Sequence, residues 1–267
     1  MRYENMLEHN HGRLLAEERR RKILDSIEQN GQITIPEVVK RFSVSAVTAR
    51  GDLDALSAGG AVVRSHGGAV RHEPTRDYPL RLKAMLNHAE KVRIGRAAAE
   101  LVKPNETIIL DSGTTTAEIA RHLKSAKLTS VTVITNALNI AMELSDVNGI
   151  SVIVLGGLLR PVSCSMVGPQ AEAMLAELHA DRLFLAVDGF DVEMGPSTPD
   201  VLEAQLNTRM LQSAREVNVV ADSSKLGRRS VSRIGHDPRI DRLITDNKAP
   251  ADFVEALRDK GVEVKLV

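Results

Sequence analysis

From Thr107 to the C-terminus, short unbroken apolar words recur between amphipathic stretches. They are TIIL (107–110), VTVIT (131–135), SVIVL (151–155), RLFLAV (182–187), VNVVA (217–221), RLIT (242–245) and the closing VEVKLV. A strand with one wet face alternates apolar and polar residues; apart from VEVKLV most of these words do not, so both faces are expected to be buried. Helical patterns stand between the words: His88 to Val102, Ala117 to Leu123, Ala137 to Leu144, Pro169 to Leu178, Asp200 to Arg215 and Pro250 to Lys260. Strands alternating with helices predict a parallel sheet covered on both sides, an α/β domain over residues 88–267.

The first 72 residues follow another rule. After a polar tail (1–15), AEERRRKILDSIEQN (16–30) puts Ile23, Leu24 and Ile27 on one helical face, and Gly31 supplies a stop. Thr34 is placed to cap a second helix, with Glu37 three residues on completing a capping box and Pro36 tolerated in the first turn. That helix runs to about Arg41, and a third, capped by Ser45, spans Ala46 to Ser57 until Gly59-Gly60 break it. AVVRSH and GGAVRH then form two extended pieces. Three helices and a hairpin over 16–72 predict a winged helix-turn-helix. Residues 73–87, with two prolines, five charges and little periodicity, read as a linker.

Composition narrows the function. With 35 Lys and Arg against 35 Asp and Glu the formal net charge is zero, so any affinity for nucleic acid must come from local charge. Two Tyr, four Phe and no Trp leave little for a base-stacking surface. Cys164 is the single cysteine, so no intrachain disulfide and no multi-cysteine metal site are expected; it reads as a pocket wall or core residue. No apolar run approaches the ~18 residues of a membrane span, and the tail lacks a signal-peptide core, so a cytoplasmic location is expected. His9 and His11 in that tail read as solvated, and Arg19 to Lys22 as the solvated face of the first helix.

In the third helix, Ala46, Ala49, Leu53 and Leu56 make a buried stripe, while Ser45, Val47, Thr48, Arg50 and Gly51 face away. Such a helix can enter a major groove, with Arg50 paired to guanine and Thr48 meeting a base edge or phosphate. Arg64 and His66 on the wing are candidates for the backbone or minor groove. The words themselves go further. VSAVTARGDLDALSAGGAVVRSHGGAV resembles the DNA-binding domain of the DeoR family of bacterial transcriptional regulators, through Val44, Ser45, Thr48, Arg50, Asp52, Leu53, Leu56, Arg64 and His66–Ala69. Ala49, in place of a larger aliphatic, and Gly51, in place of a polar or basic residue, depart from that pattern.

In the α/β domain the strand ends collect polar residues, where open parallel sheets bind ligands. Asp111-Ser112-Gly113-Thr114-Thr115-Thr116 follows the first strand and opens a helix, an arrangement suited to an anion. Asn136, then Gly156, Gly157 and Arg160, then Asp188, then Asp222 and Lys225 follow the next four. An Arg and a Lys near a hydroxyl-rich loop suit a sugar phosphate, and the aspartates suit sugar hydroxyls. DSGTTTAEIA, TNALN, LGGLLR, VGPQAE, LFLAVDGFD, ADSSK and GVEVKLV resemble the DeoR sensor domain, which is related to sugar-phosphate isomerases. The resemblance implies a regulator, expected to be a repressor, that binds operator DNA and a phosphorylated sugar and acts as a homo-oligomer. Within the family the words look closest to repressors of amino-sugar catabolism, which implies an amino-sugar phosphate. It assigns no catalytic residue, no cofactor and no metal. The alternative is a sugar-phosphate isomerase or deaminase with an appended DNA-binding domain, in which Glu203 is the best candidate base. A third reading, an architectural DNA binder, predicts no response to sugar phosphates.

Overall fold

The computed structural model describes residues 16–58, 62–71, 77, 79–126 and 128–267. Expectations about the tail, about Gly59-Gly60 and about residues 72–76 lie outside that set. The chain divides into two compact units, one ending at Glu73 and the other beginning at Pro74.

The first unit is built from α1 (Ala16–Asn30), β1 (Gln32–Thr34), α2 (Ile35–Phe42), α3 (Ala46–Ala58), β2 (Val62–Ser65) and β3 (Gly68–Arg71). Its core gathers Ile23, Ile27, Ile33, Val38, Val44, Ala49, Leu53, Val62 and Ala69. The Thr34–Glu37 capping box is formed, and Ser43 closes α2 with φ 51°. β1, which is too short to be read from its sequence, adds to the hairpin to give the order β1-β3-β2. Gly68 makes room for it: a Cβ there would sit 2.0 Å from the Ile33 carbonyl oxygen. Two sequence readings change. Ala46, at the first position of α3, is exposed rather than part of the buried stripe. Arg19 is buried, not solvated, and clasps the buried Asp52 at 2.5 Å, with Arg20 adding a bond at 3.1 Å.

The second unit opens with α4 (Leu80–Met85) and α5 (His88–Ala99). There follow β4 (Thr107–Leu110), α6 (Thr114–Ser125), β5 (Val131–Thr135), α7 (Leu138–Leu144), β6 (Ile150–Val154), a hairpin of β7 (Leu158–Arg160) and β8 (Ser165–Val167), and α8 (Pro169–Ala176). Next come β9 (Ala180–Ala186), a hairpin of β10 (Gly189–Asp191) and β11 (Gly195–Thr198), α9 (Val201–Ser213) and β12 (Ala214–Val220). The chain ends with β13 (Ser232–Arg233), β14 (Arg242–Thr245), α10 (Ala251–Asp259) and β15 (Glu263–Leu266). Seven strands form one parallel sheet, ordered β15-β14-β12-β9-β4-β5-β6. Alternate residues feed two cores: Leu183 and Leu185 join α8, α9 and α10 on one face, and Phe184 joins α5, α6 and α7 on the other. The strand order reverses between β4 and β9, the place at which open parallel sheets bind ligands beyond the carboxyl ends of their strands.

Three local departures from the sequence reading matter for the site. α6 begins at Thr114, not Ala117, because the Thr116 hydroxyl turns back to the carbonyls of Asp111 and Gly113, at 3.0 Å each. The stretches after Gly157 and Asp188, where the sequence suggests no strand, form hairpins. Within 73–87 stands α4, six residues long and too short to show a period, tied to the β7–β8 hairpin by Leu80 N–H donating to the Val162 carbonyl at 2.8 Å.

Candidate functional site

On the first unit, α3 presents Val47 (76% exposed) and Arg50 outward, and His66 is exposed at the tip of the β2–β3 turn. Arg50 makes no hydrogen bond or ion pair among the described residues, so its guanidinium is free for a partner. Ser45 and Thr48 are partly committed: the Ser45 hydroxyl accepts from Thr48 N–H at 3.0 Å and meets its hydroxyl at 2.9 Å, capping α3. Arg64 is engaged too. Its Nε donates to Asp54 at 2.8 Å and its Nη1 to the Gly68 carbonyl at 2.5 Å, fastening α3 to the hairpin. Asp52 turns inward to Arg19 and Arg20, and Asp54 is paired with Arg64, so neither local acid stands unpaired beside Arg50.

On the second unit, the carboxyl ends of β4, β9 and β12 bring titratable groups together. Asp111, at the end of β4, is fully buried, and neither carboxylate oxygen has a hydrogen-bond partner among the described residues. Burial drives its pKa well above the ordinary range, and Glu203 and Asp188 push the same way. The backbone of Ala186 and the Thr116 hydroxyl pull against that rise, but the hydroxyl's own bonds go to carbonyls. The buried Ser112 hydroxyl is also unpartnered, and Gly113 gives α6 no side-chain cap. Gly113 is needed for packing, since a Cβ would lie 2.5 Å from that of Ala186. Thr115 and Thr116 are buried and Thr114 is half-buried.

Asp188, after β9, is gripped by two lysines: Lys83 of α4 at 2.9 Å and Lys225 at 3.5 Å. Burial alone would raise its pKa, but Lys225 and Lys83 outweigh that and lower it. Lys83 shows the converse: burial opposes its charge, and Asp188 and Asp77 more than restore it. Lys83 also meets Asp77 at 3.1 Å. Arg160, delivered by the β7–β8 hairpin, touches Asp77, Asp200 at 3.1 Å, Glu203 at 3.3 Å and the Ser163 hydroxyl at 2.9 Å. Gly157 makes that hairpin possible, with φ 131° and no room for a Cβ, which would lie 2.6 Å from the Val167 carbonyl oxygen. Glu203 lies in the first turn of α9, where Asp200 caps its N–H at 2.9 Å. Burial, then Asp188, raises its pKa to about 7, against Lys83 and Arg160. Lys91 of α5 donates to the Lys83 carbonyl at 2.5 Å, and burial lowers its pKa to about 8. Asp222 is buried and caps the turn of residues 223–225, accepting from Asn87 at 2.7 Å and from the Ser224 hydroxyl at 2.5 Å.

Arg160, Asp188, Glu203 and Lys225 are thus joined in one web of ion pairs, with Asp111 coupled to it electrostatically. Asn136, Gly156 and Gly157 are not bonded to that web: the Asn136 amide donates to Met166 in β8 at 3.0 Å, and Gly156 is exposed. Asp77, Lys83, Asn87 and Lys91 belong to the site and were absent from the sequence reading. For Asp77 and Lys83 the signal was the charge in the 73–87 stretch; Asn87 and Lys91 gave none. Chemically, four cations (Lys83, Lys91, Arg160, Lys225) beside buried carboxyls suit a ligand with both an anionic group and hydroxyls. Among the described residues no group of His, Cys, Asp and Glu is arranged to hold a metal, and no helix is long and apolar enough to cross a membrane.

Residues 19–75 match the DeoR-like helix-turn-helix domain, and residues 86–247 match the DeoR C terminal sensor domain. A protein of Escherichia coli O157:H7 named for transcriptional repression of the aga operon is 43% identical, over 94% of this chain and 93% of its own length. The transcriptional repressor GlcR of Bacillus subtilis (strain 168) is 36% identical, over 94% of this chain and 96% of its own. Among solved structures, ribose 5-phosphate isomerase A from Methanocaldococcus jannaschii is similar over 52% of this chain and 55% of that chain, with 21% identity and a TM-score of 0.35.

Proposed function

The chain belongs to the DeoR family of transcriptional regulators, and we propose that it represses a carbohydrate operon and is released from its operator by a phosphorylated sugar. Val47, Arg50 and His66, with Ser45 and Thr48 at the start of α3, form the surface offered to duplex DNA; Arg64 holds that surface in shape. The effector's phosphate is received at the carboxyl edge of the sheet by Arg160, Lys83 and Lys225, beside Ser112 to Thr116. Asp111, Asp188, Glu203 and Asp222 face its hydroxyls, and an amino-sugar phosphate adds an ammonium that these carboxyls suit. The observation that carries this reading is the convergence of Lys83, Lys225 and Arg160 on Asp188 and Glu203, the two carboxyls coupled electrostatically to the buried, unpartnered Asp111. DNA and ligand favour different conformations, so each weakens the other by the same factor, and a coupling of ~1–3 kcal/mol makes a useful switch. Two or more copies pair their α3 helices on repeated half-sites.

The test is a mobility shift on DNA upstream of the protein's own operon, repeated with glucosamine 6-phosphate, N-acetylgalactosamine 6-phosphate and ribose 5-phosphate. Arg50→Ala is expected to weaken operator binding by ~1–3 kcal/mol with sugar-phosphate binding intact. An unchanged operator affinity removes Arg50 from the interface. Glu203, with a pKa of about 7, and Lys91, at about 8, are suited to proton transfer, but the relatives are named as regulators. Incubation with the same three compounds is expected to show binding without turnover.

A further inference from the structure

Asp77 is the first described residue after Arg71, the end of β3, and the chain passes from one compact unit to the other between them. Its carboxylate is held by two cations of the sugar-phosphate site, Lys83 at 3.1 Å and Arg160. Arg160 is therefore already shared among Asp77, Asp200 and Glu203. A phosphate that enters must displace one of them. Asp200 is committed to capping α9, and Glu203 sits within that helix. Asp188, the other partner of Lys83, keeps Lys225 and is fixed at the end of β9. Asp77 lies outside every helix and strand, ahead of a six-residue helix that begins after Pro79. It is the carboxylate with least holding it in place.

We propose that Asp77 is a built-in competitor for the effector's anionic group, held by Arg160 and Lys83 until a phosphate takes both cations and frees the segment that leads to the DNA-binding unit. A phosphate brings more charge and more acceptor oxygens than a carboxylate to the same two donors, so the exchange runs in its favour. The inference rests on reading this cluster as the sugar-phosphate site.

The test uses the full chain with Asp77→Asn and Asp77→Glu. Calorimetric titration with the three sugar phosphates above and with inorganic phosphate is compared with operator binding in the mobility shift. Asp77→Asn removes the competing charge and is expected to bind the phosphates about tenfold more tightly, the worth of one charge-assisted hydrogen bond. Its operator affinity without added phosphate should fall toward that of liganded wild type, and Asp77→Glu should restore both properties. A purely structural Asp77 gives the opposite sign, because damage to the site weakens phosphate binding. Wild type that binds a sugar phosphate, with an Asn variant that binds it equally or less well, overturns the competitor alone. Wild type that binds none of the probes, and whose operator binding responds to none, overturns the sensing reading and the competitor with it.

Discussion

Along the amino-terminal edge of the sheet, Glu106, Arg182, Glu216, Arg242 and Glu263 stand on or beside five neighbouring strands with signs that alternate. Arg182 bonds Glu106 at 3.2 Å and Glu216 at 2.6 Å; Arg242 bonds Glu216 at 2.9 Å and Glu263 at 2.6 Å. Arg242 is held more firmly charged by Glu263, and Glu263 more firmly ionised by Arg242. At the opposite edge the charges are as dense but do not resolve into such a row. Asp111 has no partner for either oxygen, Glu203 is half-protonated near neutral pH, and Lys91 is close to losing its proton. The first edge is complete in itself, with only the two arginine Nε–H groups unpartnered there among the described residues. The second is complete only with something added. Perturbed groups that gather at one end of a sheet, while the other end pairs its charges, mark where a ligand is expected.

The largest effect should come from the paired edge. Arg182→Ala leaves Glu106 without its bonded cation and Glu216 with only Arg242. Breaking a buried pair on one side is expected to destabilise the fold by about 3 kcal/mol, read from denaturant unfolding. Sugar-phosphate affinity of the folded protein should stay at the wild-type value. A loss under ~1 kcal/mol would make this row an ordinary surface pairing and remove half of the contrast.

Asp111→Asn should behave in the reverse manner. The carboxyl is held neutral by burial and must take up a proton on folding, a cost that Asn avoids, so the variant should be more stable than wild type at neutral pH, read from denaturant unfolding. The native state keeps a proton on Asp111 that the unfolded chain has released, so this residue weakens the fold as pH rises above the unfolded carboxylate range. Asn removes that dependence. Sugar-phosphate affinity should drop about tenfold, measured by calorimetry on the full chain. Unfolding with affinity preserved would make Asp111 a structural group.

The same contrast governs what the sequence disclosed. Strands buried on both faces run largely apolar, so the five inner strands were legible as words, while the edge strands β6 and β15 are part-exposed and were legible as β-branched runs; the residues that follow each word fell at strand ends. The capping box of α2 was legible because its two residues stand three apart. The alternating row was not: Glu106 and Arg182 are 76 positions apart, and only strand order makes them neighbours. The same holds for Arg19 and Asp52, separated by 33 positions and met only when α1 crosses α3. Lys83 and Asp77 escaped because α4 is shorter than two turns and carries no readable period. Five strand-end positions could be named, but which of them join one ion-pair web depended on hairpins that bring Arg160 to Glu203 and send Asn136 to Met166 instead.

The smallest expected effect is the pH dependence of sugar-phosphate binding. A phosphate brought to Arg160 and Lys83 adds negative charge near Glu203 and Lys91, which lifts the pKa of Glu203 further and brings that of Lys91 back up. Binding is then coupled to proton uptake, by Glu203 around pH 7 and by Lys91 around pH 8. Affinity should therefore rise as pH falls from about 9 toward about 6.5, by a few-fold for each group, since one proton per group limits the slope. Below about pH 6 the phosphate itself takes up a proton and the trend should reverse. Glu203→Gln separates the two groups: it should flatten the profile near pH 7 and leave the fall near pH 8, which belongs to Lys91. A profile that keeps its full slope near pH 7 in the Gln variant assigns that proton elsewhere. Glu203 would then be ion-paired as firmly with Arg160 as Glu216 is with Arg182, and the two edges would differ less than their geometry implies.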